Sequence, residues 1–259
     1  MYKDLADFSI EFLQKKEVDY AEARLETNTS TGIILKDSNP EMTGFDQSCG
    51  LGIRYLINKN LGFVSINELS KEKLKEQLEK SLKLTRKASK ISDKIEFSEN
   101  KAIKKTYKVN QKQNIQDFSQ EEKLKFLQEI DGSIDANHKY LSLSDNIIEK
   151  YYVNTEGSQI TSEIPRVNFF YFLTLVEKNQ SVQRYLQKGA TTGYETLKNW
   201  NLINEIQKEV KALRENITKG VPAPKEELDI VVAPEVTGIA VHEACGHPTE
   251  ADRIFGREA

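Results

Sequence analysis

Hydrophobic positions along this chain recur with two periods, about 3.6 and about 2 residues, and the segments that carry them follow one another without regular alternation. Leu5, Phe8 and Phe12 predict a first helix over residues 2–16. Residues 20–27 and 31–37 read as strands, and 50–58 with 62–67 as a hairpin turning at Asn58-Lys59-Asn60. Ser70 is placed to cap a helix that carries Leu74, Leu78 and Leu82 on one face, the other faces being rich in lysine and glutamate as a solvated surface is. Residues 89–117 are polar and lysine-rich and read as a connection with one short strand. Ser119 with Glu122 forms a capping-box signal for a helix whose buried stripe is Leu124, Leu127, Ile130 and Ile134.

Several strands follow. Val167, Phe169, Tyr171, Leu173 and Leu175 alternate, while Phe170 and Phe172 fill the other side, so this strand is expected to be covered on both faces. Glu177-Lys178-Asn179-Gln180 reads as its turn into a strand over 181–188. A helix over 200–217 has the stripe Ile203, Ile206, Val210, Leu213 and Ile217 and ends at Lys219-Gly220. Pro222 and Pro224 then stiffen a linker, after which a buried strand is expected over 228–233, leading into a last helix. The predicted fold class is α+β, a mixed or antiparallel sheet packed with helices over 1–220, followed by the beginning of a second domain over 221–259.

Composition narrows the class. The chain is 30% charged and 38% hydrophobic with a net charge of -3, and has no apolar run long enough to span a bilayer. The start, Met1-Tyr2-Lys3-Asp4-Leu5, lacks the basic-then-apolar order of a signal peptide, and the two cysteines, Cys49 and Cys245, make no disulfide framework. A cytoplasmic location is the default expectation.

The chemistry concentrates in one segment. Two of the three histidines fall in His242-Glu243-Ala244-Cys245-Gly246-His247, with Glu250 close behind. Imidazole is a common ligand for a divalent ion such as zinc, and a carboxylate beside two such ligands suits hydrolysis. A lone histidine would more readily be a capping, packing or solvated residue, but two with a flanking glutamate favour a metal site. In the familiar zinc-peptidase pattern the histidines lie four apart, about 40° around a helix, whereas a gap of five puts them about 140° apart in a regular one. To serve one metal the helix must therefore carry an extra residue as a bulge or break between the histidines, and Gly246 is placed for either. Cys245 is open to two readings, a thiolate ligand or a small packed residue. Glu250 would return to the same face of a continuing helix, as a third ligand or as a carboxylate orienting His247, the second being commoner.

Residues 228–234 (Leu-Asp-Ile-Val-Val-Ala-Pro), Gly238 to Val241, and the run from His242 to Asp252 together resemble the TldD/PmbA family, whose members are also called modulators of DNA gyrase. Gly50-Leu51-Gly52-Ile53-Arg54, Leu61-Gly62-Phe63-Val64 and Asn154-Thr155-Glu156-Gly157 look like its N-terminal strand pair and mid-chain turn. The resemblance implies a zinc metallopeptidase acting on short or unfolded peptides inside an assembly of paired subunits. By position, His242 and His247 would bind the zinc, Glu243 would be the general base, and a cysteine outside this chain would complete the site. Partner subunits in the family lack the histidine motif, so its presence here implies the catalytic type. Family chains continue well beyond the motif, so this chain is expected to be an N-terminal piece, inactive alone. The alternative class is a non-catalytic structural module that pairs with a partner subunit; a metal-binding regulator without turnover is a third.

The remaining candidates are weaker. His138 sits in a polar context and reads as exposed. Lys101, Lys104, Lys105 and Lys108 around Tyr107 could form a basic stripe, but the slightly acidic chain argues for a solvated edge and against nucleic acid. Gly189-Ala190-Thr191-Thr192-Gly193 lacks the Lys-Ser/Thr ending of a phosphate-binding loop and reads as a surface loop.

Overall fold

Among the described residues seven strands form one sheet, and three of its connections are two-residue hairpin turns that reverse the chain at once. Asp37-Ser38, Asn58-Lys59 and Lys178-Asn179 all have positive φ at both positions, the backbone that matches the right-handed twist of the flanking strands. They join β1 (Tyr20–Lys36) to β2 (Asn39–Ile57), β2 to β3 (Asn60–Ile66), and β6 (Gln159–Glu177) to β7 (Gln180–Ala190). With β4 (Lys104–Lys108) and β5 (His138–Asn154), the order is β3-β2-β1-β5-β6-β4, and β7 also pairs with β6. All pairs are antiparallel except β4 with β6, so the sheet is mixed and the fold is α+β. The computed structural model describes residues 2–88, 94–98 and 100–257, with 42 and 43 by backbone alone. The first five residues of the expected 89–117 connection, and residue 99, therefore lie outside the described residues.

β1 runs unbroken where two strands were expected. The polar stretch Asn28-Thr29-Ser30 reads locally as an interruption, but both edges of β1 are laddered there, and its side chains find cross-strand partners: Asn146 Nδ2 donates to Asn28 Oδ1 at 2.9 Å and Gln47 Nε2 to Thr29 Oγ1 at 3.2 Å. Tertiary pairing overrides local polarity. β2 begins eleven residues before the expected hairpin arm, and carries a bulge opposite Gly32/Ile33, where Gly44 takes a φ of +79°.

Odd-numbered residues of β1, β5 and β6 point to one face and fill two cores. Ala21, Ala23, Leu25, Tyr151 and Val153 pack under α1 (Lys3–Gln14) and α2 (Lys71–Ala88). Ile33, Leu35, Leu141, Leu143 and the odd-numbered residues from Val167 to Leu175 of β6 pack under α3 (Gln120–Gly132) and, after the short α4 (Thr196–Asn199), α5 (Leu202–Lys219). The helix signals read from sequence are present: Ser70 Oγ accepts from Lys73 N at 3.2 Å, and Ser119 and Glu122 make the reciprocal capping box. On α1 the buried face is Leu5, Ala6, Ile10 and Leu13, with Phe8 and Phe12 at its margin.

The even-numbered face carries none of the helices that fill the two cores, and Phe97 packs against Tyr20 there. Phe170 and Phe172 are half-buried rather than covered, and Phe170 packs edge-on with Tyr140 and beside the exposed Tyr185. The expectation that β6 is covered on both faces is thus corrected: all the helices of this unit that fill the two cores lie against the odd-numbered side.

Contacts divide the chain into Met1–Lys219 and Gly220–Ala259. In the second unit the expected buried strand is absent. Residues 228–233 are coil with Ile230 and Val231 almost fully exposed, because an extended apolar run becomes a strand only where a ladder partner meets it. Four short helical segments follow, α6 (Pro234–Val241), a turn over His242–Gly246, a 3-10 turn over His247–Thr249, and α7 (Ala251–Ile254).

Candidate metal centre

Pro234 opens α6 at the position where a missing N–H costs nothing, and Glu235 lies in its first turn. The helix changes character at His242. His242–Gly246 is a π-turn, closed by the N–H of His247 donating to the carbonyl of His242, five residues back instead of four. That one wider turn sets His247 over His242, their rings 4.5 Å apart and edge to face. The bulge required by the five-residue spacing is therefore present. Gly246 has an ordinary helical φ of -64°, and a Cβ there would meet His242 Nδ1 at 3.6 Å, an ordinary contact, so the turn does not depend on glycine.

Pro248 and Thr249 end the wide turn. Proline offers no N–H to continue the helix, and Thr249 Oγ1 donates to the carbonyls of Cys245 and Gly246 at 2.8 and 2.9 Å, satisfying groups the break would orphan. Glu250 is then extended, with φ -62° and ψ 138°, so the continuing helix expected to carry it is interrupted. Its carboxylate still reaches His247 by folding back, Oε1 lying 2.8 Å from Nδ1.

Among the described residues, His242, Glu243 and His247 bring one ligand atom each within 4.8 Å of one another, and Glu243 Oε2 is 3.6 Å from His247 Nε2. Two imidazole nitrogens and a carboxylate oxygen at this separation fit a divalent ion of borderline softness. Cys245 and Glu250 are not in that group; Cys245 is an exposed free thiol.

Residues 21–89 match the family domain described as PmbA/TldA metallopeptidase domain 1, and residues 113–215 match the PmbA/TldA metallopeptidase central domain. The chain belongs to the PmbA/TldD family. A metalloprotease of Methanocaldococcus jannaschii is 29% identical over 245 residues, covering 93% of this chain and 54% of the relative. A protein named zinc metalloprotease TldD homolog, from Saccharolobus solfataricus, is 22% identical over 93% of this chain and 53% of its own length. Among solved structures, a modulator of DNA gyrase by name, from Bacteroides thetaiotaomicron, superposes with a TM-score of 0.67 at 14% identity, covering 81% of this chain and 49% of that one. TldE from Thermococcus kodakarensis gives 0.57 at 15% identity, over 81% and 47%. At these identities the structural likeness speaks to the fold. The chain spans about half the length of the relatives it matches.

The weaker candidates of this PmbA/TldD chain all fall within the first unit. His138 opens β5, exposed, with Nδ1 3.4 Å from Asp37 Oδ2. Lys104, Lys105 and Lys108 lie on the wholly exposed β4, where Lys108 pairs with Glu163. The 189–193 segment is braced rather than loose: Glu195 accepts from Thr192 Oγ1 and from Gln113 N, and Gly193 lies so close to the Gln113 carbonyl that a Cβ would sit 2.1 Å from it. Burial pushes the Glu195 carboxyl up, but these hydrogen bonds outweigh it and bring it down to about 2. No helix among the described residues is long and apolar enough to cross a membrane.

One charged group escaped the sequence reading. Lys123 and Asp145 form a buried ion pair, shared with Thr31 and Tyr194. The signal was available in the periodicity, since Lys123 stands four residues before Leu127 on the same helical stripe and Asp145 lies between Leu143 and Ile147 on the core side of β5.

Proposed function

We propose that this chain carries the metal-binding motif of a zinc-dependent metallopeptidase that hydrolyses short or unfolded peptides in the cytoplasm, with His242 and His247 as ligands and Glu243 as general base. The observation that carries this reading is the π-turn at His242–Gly246, which brings together, edge to face, two histidines that a regular helix would hold apart. Bound there, zinc would polarise the scissile carbonyl and acidify a water. Glu243, exposed beside His247, would accept the proton of the attacking water and return it to the leaving amine. The third ligand is proposed to be a cysteine from outside these 259 residues. The metalloprotease names of the archaeal relatives support the class.

The test is zinc content by elemental analysis, on a longer chain purified without chelators, beside the double variant His242→Ala, His247→Ala. About one zinc per chain, lost in the variant, is expected; a longer chain without zinc, or a variant that keeps it, overturns the reading.

A second reading is a module that pairs with an identical or different partner subunit and catalyses nothing. The half-exposed aromatics Tyr140, Phe170 and Phe172 on the even-numbered sheet face favour it. Light scattering on the longer chain tests this second reading, since a strict monomer counts against pairing.

A further inference from the structure

We infer that Glu250 is a positioning residue for His247: its carboxylate holds the imidazole proton on Nδ1, so that Nε2 presents a lone pair toward Glu243 and His242. The inference takes its purpose from the zinc reading above, but its geometry stands independently.

Three observations carry it. First, His247 Nδ1 and Glu250 Oε1 are 2.8 Å apart. An ionised carboxylate can only accept, so the ring nitrogen must be the donor, and a neutral imidazole that donates at Nδ1 is an acceptor at Nε2. Second, Nε2 is the atom that faces the cluster, 3.6 Å from Glu243 Oε2. An acceptor nitrogen and a carboxylate oxygen at that distance repel unless a proton or a cation lies between them, which makes the pair a receptor for positive charge. Third, Glu250 is not used where its place in the chain would put it. It is the N-cap of α7, yet its side chain makes no cap bond to that helix. It turns back to His247 instead, and Arg253 Nε approaches its second oxygen at 3.6 Å, limiting rotation of the carboxylate.

The chain break makes this reach available. Pro248 and Thr249 close the 3-10 turn after His247, Glu250 N donates to the His247 carbonyl at 3.2 Å, and the extended Glu250 backbone aims its side chain along the imidazole edge. A histidine ligand fixed in this way has one tautomer and one ring orientation before any ion arrives. Removing such a carboxylate costs about 10- to 100-fold in metal affinity where it has been measured on metal sites generally.

The test is long-range proton–nitrogen NMR of the metal-free chain, at a pH well above the ordinary histidine value of about 6.5, with His247 identified by the signals lost in His247→Ala. The wild type is expected to show the Nδ1–H form at His247. Glu250→Gln, whose amide oxygen still accepts, keeps it, and Glu250→Ala loses it while the His138 and His242 signals stay in place. Zinc affinity, titrated on a longer chain, should fall about 10- to 100-fold in Glu250→Ala and less in Glu250→Gln. An Nε2–H form in the wild type, or unchanged His247 signals in Glu250→Ala, overturns the assignment. The Nδ1–H form with no zinc uptake upholds Glu250 and sinks the zinc reading; zinc uptake with the Nε2–H form does the reverse.

Discussion

Lys123 Nζ lies 2.5 Å from Asp145 Oδ2, with both side chains more than nine-tenths buried. The same oxygen accepts from the Tyr194 hydroxyl at 2.6 Å and from Thr31 Oγ1 at 3.0 Å, and Tyr194 stacks on Phe118. Burial, then the Asp145 charge, pushes the Tyr194 hydroxyl far above its ordinary range, so it remains a donor. Each charge is tolerable only because the other is there. Asp145→Ala should therefore destabilise the chain by about 3–5 kcal/mol, and Lys123→Met with Asp145→Leu by much less. Urea unfolding of the single and double variants checks this, and equal losses would count against a coupled pair.

Gly62, opposite Tyr55 in the β2–β3 ladder, gives a second expectation. The Tyr55 ring lies across this glycine, where a Cβ would come within 2.1 Å of Cζ, and the ring is pinned by its hydroxyl's bonds to Ser81 and Thr85. Gly62→Ala should cost about 1–3 kcal/mol through overpacking. A Tyr55→Leu background should absorb part of that cost, because the offending atoms are the far end of the ring.

Glu195 sets an acid dependence. Its folded value of about 2 lies below the ordinary 4.5, so its contribution to stability is complete above about 4.5 and is lost as pH falls toward about 2. Glu195→Gln should lower the urea midpoint at neutral pH and flatten its fall across that acid window. A variant as pH-dependent there as the wild type would assign the slope to other carboxylates.

Glu243→Gln separates base from ligand. In a longer chain it should retain zinc while cleavage of an unfolded peptide falls about 100- to 10,000-fold. Zinc lost together with activity would make Glu243 a ligand, a role its oxygen, within 4.8 Å of the histidine nitrogens, is close enough to take.

How much of this was legible depended on whether the deciding contact was local. The helices with clean stripes, such as Leu74-Leu78-Leu82, and the capping box at Ser119 are set by neighbours three or four residues away, and both are found where expected. The continuity of β1 through Asn28-Thr29-Ser30 rests on Asn146 and Gln47, more than fifteen residues distant, and no local pattern announces it. The strand expected at 228–233 failed for the complementary reason, since apolar residues alone do not supply a ladder. In the candidate site, the five-residue spacing already required a widened turn, and the π-turn supplies it. The reversal that brings Glu250 back to His247 depends on Pro248 and Thr249 stopping the helix, which the three-residue spacing of Glu250 from His247 could not reveal.

β1 gives Ala21, Ala23 and Leu25 to one core and Ile33 and Leu35 to the other, while lying between β2 and β5. The two family domains that match at 21–89 and 113–215 are consequently units of inheritance but not of assembly. A cut in the backbone between them would not release two free bodies. It would leave complementary halves, one ending its sheet at a bare β1 and the other at a bare β5, each the template on which the other is restored.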